Sequence, residues 1–159
     1  MGDANKGKAM PADTDLIKLY SAKILALAAD IPHTDRLGAP DATAKKRSPL
    51  CGSTVTVDVT VADGRITGFG QDVKACALGQ AAASVVGAAA IGATRMQIET
   101  ARDELKAMLK ADGPAPQAPF DGLEVLIPAR DYKNRHASIL LALEATAEAV
   151  HQAEQTHCA

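Results

Sequence analysis

Tryptophan is absent from the chain and tyrosine and phenylalanine occur twice each, so aromatic side chains make up only 3% of 159 residues. A core built on large rings is excluded. With 47% apolar residues, many of them alanine, the chain suits closely packed helices instead. Neither sign of charge dominates: 17 Lys and Arg face 19 Asp and Glu, and the formal net charge is -2. No basic stripe argues for nucleic acid, and Lys45-Lys46-Arg47 is too short to make one. That run suits a partner-facing loop better. No apolar run is long enough to span a membrane, and none stands at the start as a signal peptide would. A cytoplasmic protein is the expectation. Cysteine is scarce and odd in number; Cys51, Cys76 and Cys158 cannot all pair internally. Free thiols in a reducing compartment point to metals, catalysis or plain packing rather than to a structural bridge. A glycine-rich phosphate loop is also missing, because the glycines of "GAAAIGAT" are spaced for close helix packing.

The length suits one domain able to bury a core without disulfide staples. Residues 1–13 are small, polar and aperiodic and are expected to form a disordered leader. Residues 14–155 are expected to form the single domain, and 156–159, with His157 and Cys158, a frayed tail. Leu16, Leu19, Tyr20, Ile24 and Leu27 recur at helical spacing, so a first helix is predicted from a cap at Asp13 or Thr14 to about Asp30, where Pro32 stops it. Residues 33–50 read as a long loop with room for one short extended piece. Val55, Val57, Val59 and Val61 then alternate, Asp63-Gly64 offers a positive-φ turn, and the pattern resumes from Ile66 to Val73: a hairpin with one covered face.

From Cys76 to Ile91 the chain is alanine-dense and nearly uncharged, a helix buried on most sides. A charged helix follows over Thr94 to Lys110, with Thr94 and Gln97 spaced as a capping box. "ADGPAPQAPFDG" reads as an exposed connector. A last helix is expected from about Lys133 to Gln155, with Ile139, Leu140, Leu143, Thr146 and Val150 on its apolar face. The whole is α+β: a small antiparallel sheet of about three strands with an N-terminal helix and three C-terminal helices packed on it.

Cys51 lies just before the first hairpin strand and Cys76 just after the second, so the hairpin brings both to one edge of the sheet. Loop amides beside both, and a helix N-terminus at Cys76, favour the thiolate, which is the form that soft metals bind. Two buried cysteines acting as small hydrophobes remain the alternative from the residues alone.

Four ordered motifs carry a resemblance: Pro49-Leu50-Cys51-Gly52-Ser53, Asp63-Gly64-Arg65-Ile66, Ala75-Cys76-Ala77-Leu78 running on to Ser84, and His136-Ala137-Ser138-Ile139-Leu140. Together they span nearly the whole chain, and they resemble the U-type iron-sulfur cluster assembly scaffolds, including the NifU N-terminal domain and the zinc-binding SufU branch. The connector before Pro128-Ala129-Arg130 is long, as in the SufU branch. The resemblance implies a SufE/NifU-like fold and a solvent-facing site in which Cys51, Cys76 and His136 hold a [2Fe-2S] cluster or iron, with zinc as the alternative.

Two family positions differ. The aspartate after Cys-Gly is Ser53 here, and the third cysteine is Ala137. Cys, Cys and His satisfy zinc with one position open, and a fourth ligand would come from Ser53, Asp131, water, a small thiol or a partner. Lys133, Asn134 and Arg135 read as a solvated first turn, or as a basic rim for an anionic cluster or an acidic partner. The implied function is a cluster scaffold or carrier without catalytic turnover. The alternatives are an interaction or regulatory paralogue with a structural zinc, and a zinc-dependent sulfur acceptor of the sulfurtransferase kind. Cysteine desulfurase and apo iron-sulfur proteins are the implied partners, with the chain a monomer or weak homodimer.

Overall fold

The computed structural model describes residues 20–49 and 52–158, with side chains through residue 156. Helix α1, Ala22–Ala29, is capped by Ser21, whose hydroxyl accepts from the Ile24 amide at 3.3 Å. Tyr20 and Ser21, which the spacing places inside a helix, stand outside this one, because the Ser21 hydroxyl caps an otherwise free amide. The predicted cap at Asp13 or Thr14 and the leader 1–13 lie outside the described residues.

Three strands follow: β1 (Ala42–Arg47), β2 (Thr54–Ala62) and β3 (Arg65–Lys74). They form one antiparallel sheet in the order β1-β2-β3. The short extended piece allowed for in the loop is β1. Asp63 and Gly64 sit at φ 54° and 75°, which gives the tight turn whose twist matches the strands. Val55, Val57, Val59 and Val61 all point into the core, as their alternation predicts.

The other face of β2 carries a charge. Asp58 is 0% exposed and accepts from Arg36 Nε at 2.6 Å and Nη2 at 2.9 Å, from Thr43 Oγ1 at 2.6 Å and from the Leu37 amide at 3.0 Å. Burial alone would raise this carboxyl; the hydrogen bonds from Arg36, Thr43 and Leu37 outweigh burial and hold it below the ordinary carboxylate range. The segment 33–41, expected to be a loop, is thereby strapped across the back of the sheet. Gly70 lets it approach, since a Cβ there would lie 2.7 Å from the Asp35 carbonyl oxygen.

Helices α2 (Ala77–Ala90), α3 (Arg95–Lys110) and α4 (Lys133–Cys158) complete the architecture, with a 3-10 segment over Asp121–Asp131. The valine face of the sheet packs against α4, which also contacts α2 and α3, while α1 packs on α2. Because α4 lies between sheet and helices, it is buried well beyond the predicted apolar face: Ser138, Leu141, Ala142 and Ala145 are buried along with Ile139, Leu140, Leu143, Thr146 and Val150. It also runs to Cys158 rather than ending near Gln155. The buried face of α2 relies on Gly87, where a Cβ would meet Gln71 Nε2 at 2.5 Å; Gly92, at φ 93°, is a turn residue rather than a packing one. The Thr94–Gln97 capping box is present in full.

The expected exposed connector is only partly that. Phe120 is 1% exposed and leads into the 3-10 segment, in which Leu123, Leu126 and Ala129 are buried. Arg130 fastens the segment's end to the C-terminus of α3 by donating to the Met108 and Gly113 carbonyls at 2.7 and 2.6 Å. No helix among the described residues is long and apolar enough to cross a membrane.

Candidate functional site

The described residues of the motif "SPLCGS", Ser48-Pro49 and Gly52-Ser53, lie between β1 and β2. The Ser48 amide donates to the Ser53 carbonyl at 2.8 Å, and the Gly52 amide donates to the Ser48 carbonyl at 2.9 Å. Gly52 has φ 71° with open space around its Cβ position, so the glycine after the cysteine is there for its backbone. Cys51 itself lies outside the described residues. Its neighbours on the C-terminal side lie at the end of the sheet where Thr54 pairs with Lys74, and Cys76 follows two residues after Lys74.

Cys76 is the N-cap of α2 and is half-buried. Its side chain makes no capping bond; instead Sγ lies 3.6 Å from Ser138 Oγ, a length suited to a sulfur hydrogen bond. Ser138 Oγ also lies 3.2 Å from Ser53 Oγ. Three elements distant in sequence therefore meet here: the β1–β2 connection through Ser53, the start of α2 through Cys76 and the start of α4 through Ser138. A thiol and two hydroxyls share one place at the end of the sheet.

His136 sits in the first turn of α4 and is 2% exposed. Its Nε2 lies 2.9 Å from the Ala129 carbonyl oxygen and 3.1 Å from that of Arg130. Carbonyls only accept, so Nε2 carries the proton and Nδ1 is the nitrogen left to hold a metal in the neutral ring. A ligating histidine that anchors its second nitrogen on a backbone carbonyl is a common arrangement. Two residues of helix separate His136 from Ser138, about 200° of rotation, so the imidazole and the Ser138 hydroxyl leave α4 on different sides. Ala137 stands between them and is half-buried, while Asp131 ends the 3-10 segment and is exposed. Lys133 and Asn134 are exposed as a solvated first turn requires. Among the described residues no three of His, Cys, Asp and Glu stand together as a ready metal site, and Cys51 is not among those residues.

Sequence reasoning singled out Cys76, His136 and Ser53 but missed Ser138. The available signal was a hydroxyl embedded in the apolar run of α4, a buried polar side chain that must find a partner.

Comparison with known proteins follows the same lines. No protein-family model matches the chain, and no curated protein does. Among solved structures, a nitrogen-fixing NifU-like protein (N-terminal) from Brucella abortus is 45% identical, with a TM-score of 0.86 over 89% of this chain and 98% of that one. A hypothetical protein at 21% identity superposes with a TM-score of 0.75 over 85% of this chain and 98% of its own. A protein assigned as an iron-sulfur cluster assembly scaffold for the SUF system, from Fervidobacterium islandicum AW-1, does so at 0.74 with 17% identity, over 84% of this chain and 98% of its own; at that identity it speaks to fold alone. The U-type fold expected from four motifs is therefore present, and the chain belongs to the NifU-like N-terminal domain family.

Proposed function

We propose that this protein is an iron-sulfur cluster assembly scaffold or carrier that takes iron, zinc or a labile [2Fe-2S] cluster as cargo and hands it on. Cys51, Cys76 and His136 are the proposed holding residues, His136 through Nδ1. The observation that carries the reading is the meeting of Ser53, two residues after Cys51 in the sequence, with Cys76 through Ser138 at one end of the sheet, in a chain 45% identical to a NifU-like protein. Thiolates favour soft ions, and the Cys, Cys, His set leaves one coordination position open for a thiol, water or partner residue, as a carrier needs. Ser53 and Asp131 are the proposed protein sources of a further oxygen ligand. Cysteine desulfurase and apo iron-sulfur proteins are the proposed partners, and the cytoplasm the proposed setting.

Anaerobic reconstitution with iron and sulfide tests the reading. Bound iron by elemental analysis and visible charge-transfer absorption are expected in the intact chain, and single alanine substitutions of Cys51, Cys76 and His136 should each lower metal content. A chain that takes up neither iron nor zinc would overturn it.

A second reading is favoured by one observation: Ser53 stands where the resemblance expects an aspartate, is buried, and is bonded to Ser138. A serine there brings no carboxylate to assist release. In this reading the chain holds metal and binds a desulfurase, but does not pass cargo on. Conversion of an apo-ferredoxin by loaded protein separates the two, since transfer sinks the second.

A further inference from the structure

Ser138 has no assigned role in the reading above, yet its hydroxyl lies 3.6 Å from the Cys76 sulfur. The hydroxyl is 1% exposed and cannot turn to water. Room for it comes from Gly79, three residues into α2: a Cβ on Gly79 would lie 2.6 Å from Ser138 Oγ and 2.8 Å from the Ala75 Cβ. The start of α2 is therefore bare at the one spot where the α4 hydroxyl lies beneath it. Ser53, itself 5% exposed, backs the same hydroxyl from the other side at 3.2 Å.

A hydroxyl has one proton to give and two lone pairs to receive, so its role can reverse. With Cys76 as a thiol, S–H donates to Ser138 and Ser138 donates to Ser53. With Cys76 as an anion or a metal ligand, Ser138 turns its proton to the sulfur and Ser53 donates to Ser138 in turn. The thiol proton leaves the three groups when the sulfur becomes an anion or a ligand, passing to solvent or to the base that takes it; the two hydroxyls keep their protons and only reverse the direction of their hydrogen bonds. Hydrogen bonds to a ligating sulfur are among the levers that set cluster properties.

We propose that Ser138 is a positioning residue for Cys76: a buried hydroxyl, backed by Ser53 and admitted by Gly79, that hydrogen-bonds the sulfur and holds it in one orientation. The inference rests on the scaffold reading only in taking Cys76 to be a sulfur that works.

Its test uses the full-length, reduced, metal-free chain. Alkylation of Cys76 by iodoacetamide is followed at fixed neutral pH, with peptide mass spectrometry separating it from Cys51 and Cys158. Ser138→Ala is expected to slow Cys76 alkylation about tenfold, the equivalent of about 1.4 kcal/mol. Gly79→Ala leaves the serine in place but displaces its hydroxyl, and is expected to slow it several-fold. Ser138→Thr, which keeps the hydroxyl, should return the rate to within about threefold of the parent. A Ser138→Ala chain that folds, by circular dichroism and thermal melting, and alkylates at the parent rate overturns the proposal. Should that variant fail to fold, Ser53→Ala decides: a two- to threefold slowing supports the relay, and an unchanged rate overturns it. Because no metal is present, failure here leaves the reconstitution result standing, and failed reconstitution leaves this rate effect standing.

Discussion

Asp58 and Cys76 each carry a polar group near the sheet, and their surroundings differ in kind. Asp58, on the back of β2, is fully buried and receives four donors between 2.6 and 3.0 Å. Cys76, at the end of the sheet, is half-buried and has one hydroxyl at 3.6 Å. The carboxylate has no spare capacity, so nothing can be added without breaking something. The thiol, with one hydroxyl partner among the described residues, keeps lone pairs, so a ligand can be added without unpairing a buried group. Saturation marks a strut and spare valence marks a site, which makes substitutions at the two places separable by what they damage.

The largest expected effect is at the strut. Asp58→Ala leaves the Thr43 hydroxyl and the Leu37 amide without their acceptor and opens a small void. Arg36 is half-exposed, so its charge escapes to water and moderates the loss. A destabilisation of about 3 kcal/mol follows, read as a lower midpoint in urea denaturation. Metal uptake by the protein that remains folded should be unchanged; a fall in both would erase the distinction.

Acid attacks the same group. The folded Asp58 carboxyl titrates below its unfolded value of about 3.9, so its contribution is fully present above that pH and is lost as pH falls through the folded value. The parent should lose stability below about pH 4 relative to Asp58→Asn, whose neutral side chain does not titrate. Parallel stability curves for the two chains between pH 5 and about pH 2 would show that Asp58 is not the titrating strut.

Gly70→Ala sharpens the comparison from the backbone side. The new methyl meets the Asp35 carbonyl oxygen at 2.7 Å and the Leu37 amide nitrogen at 3.1 Å, and backbone cannot step aside as a side chain can. Lifting the strap should cost about 1–3 kcal/mol and raise amide exchange in residues 33–41, with Cys76 alkylation unaffected.

The hairpin was legible because its period is local: valines two apart, a turn needing positive φ, and a strand end on either side of it. The capping box and the strand end that leads into Cys76 were legible for the same reason. The strap was not. Arg36 and Asp58 are 22 residues apart, and nothing in the polar, proline-containing stretch 37–50 has a period that announces the pairing. The 3-10 segment was missed because "GLEVLIPAR" places Pro128 where a helix should stop, yet the shorter hydrogen-bond repeat runs through it. Within the site, motifs named Cys76, Ser53 and His136, but Ser138 and Ser53 lie 85 residues apart and meet only when α4 docks on the sheet.

The smallest expected effect on stability comes from the site. Cys76→Ser exchanges sulfur for oxygen at a half-buried N-cap whose thiol caps nothing, and serine is a better cap than cysteine. Two small terms oppose: a new hydroxyl able to accept from a free amide of α2, against the loss of a sulfur that packs beside the core. The urea midpoint should move by less than about 0.5 kcal/mol in equivalent stability, in either direction. Bound iron after reconstitution should nevertheless fall by more than half, since a neutral hydroxyl is a poor ligand for a soft ion. A large loss of stability with metal uptake intact would place Cys76 with Asp58 among the struts, and the distinction between saturated and unsaturated polar groups would no longer locate the site.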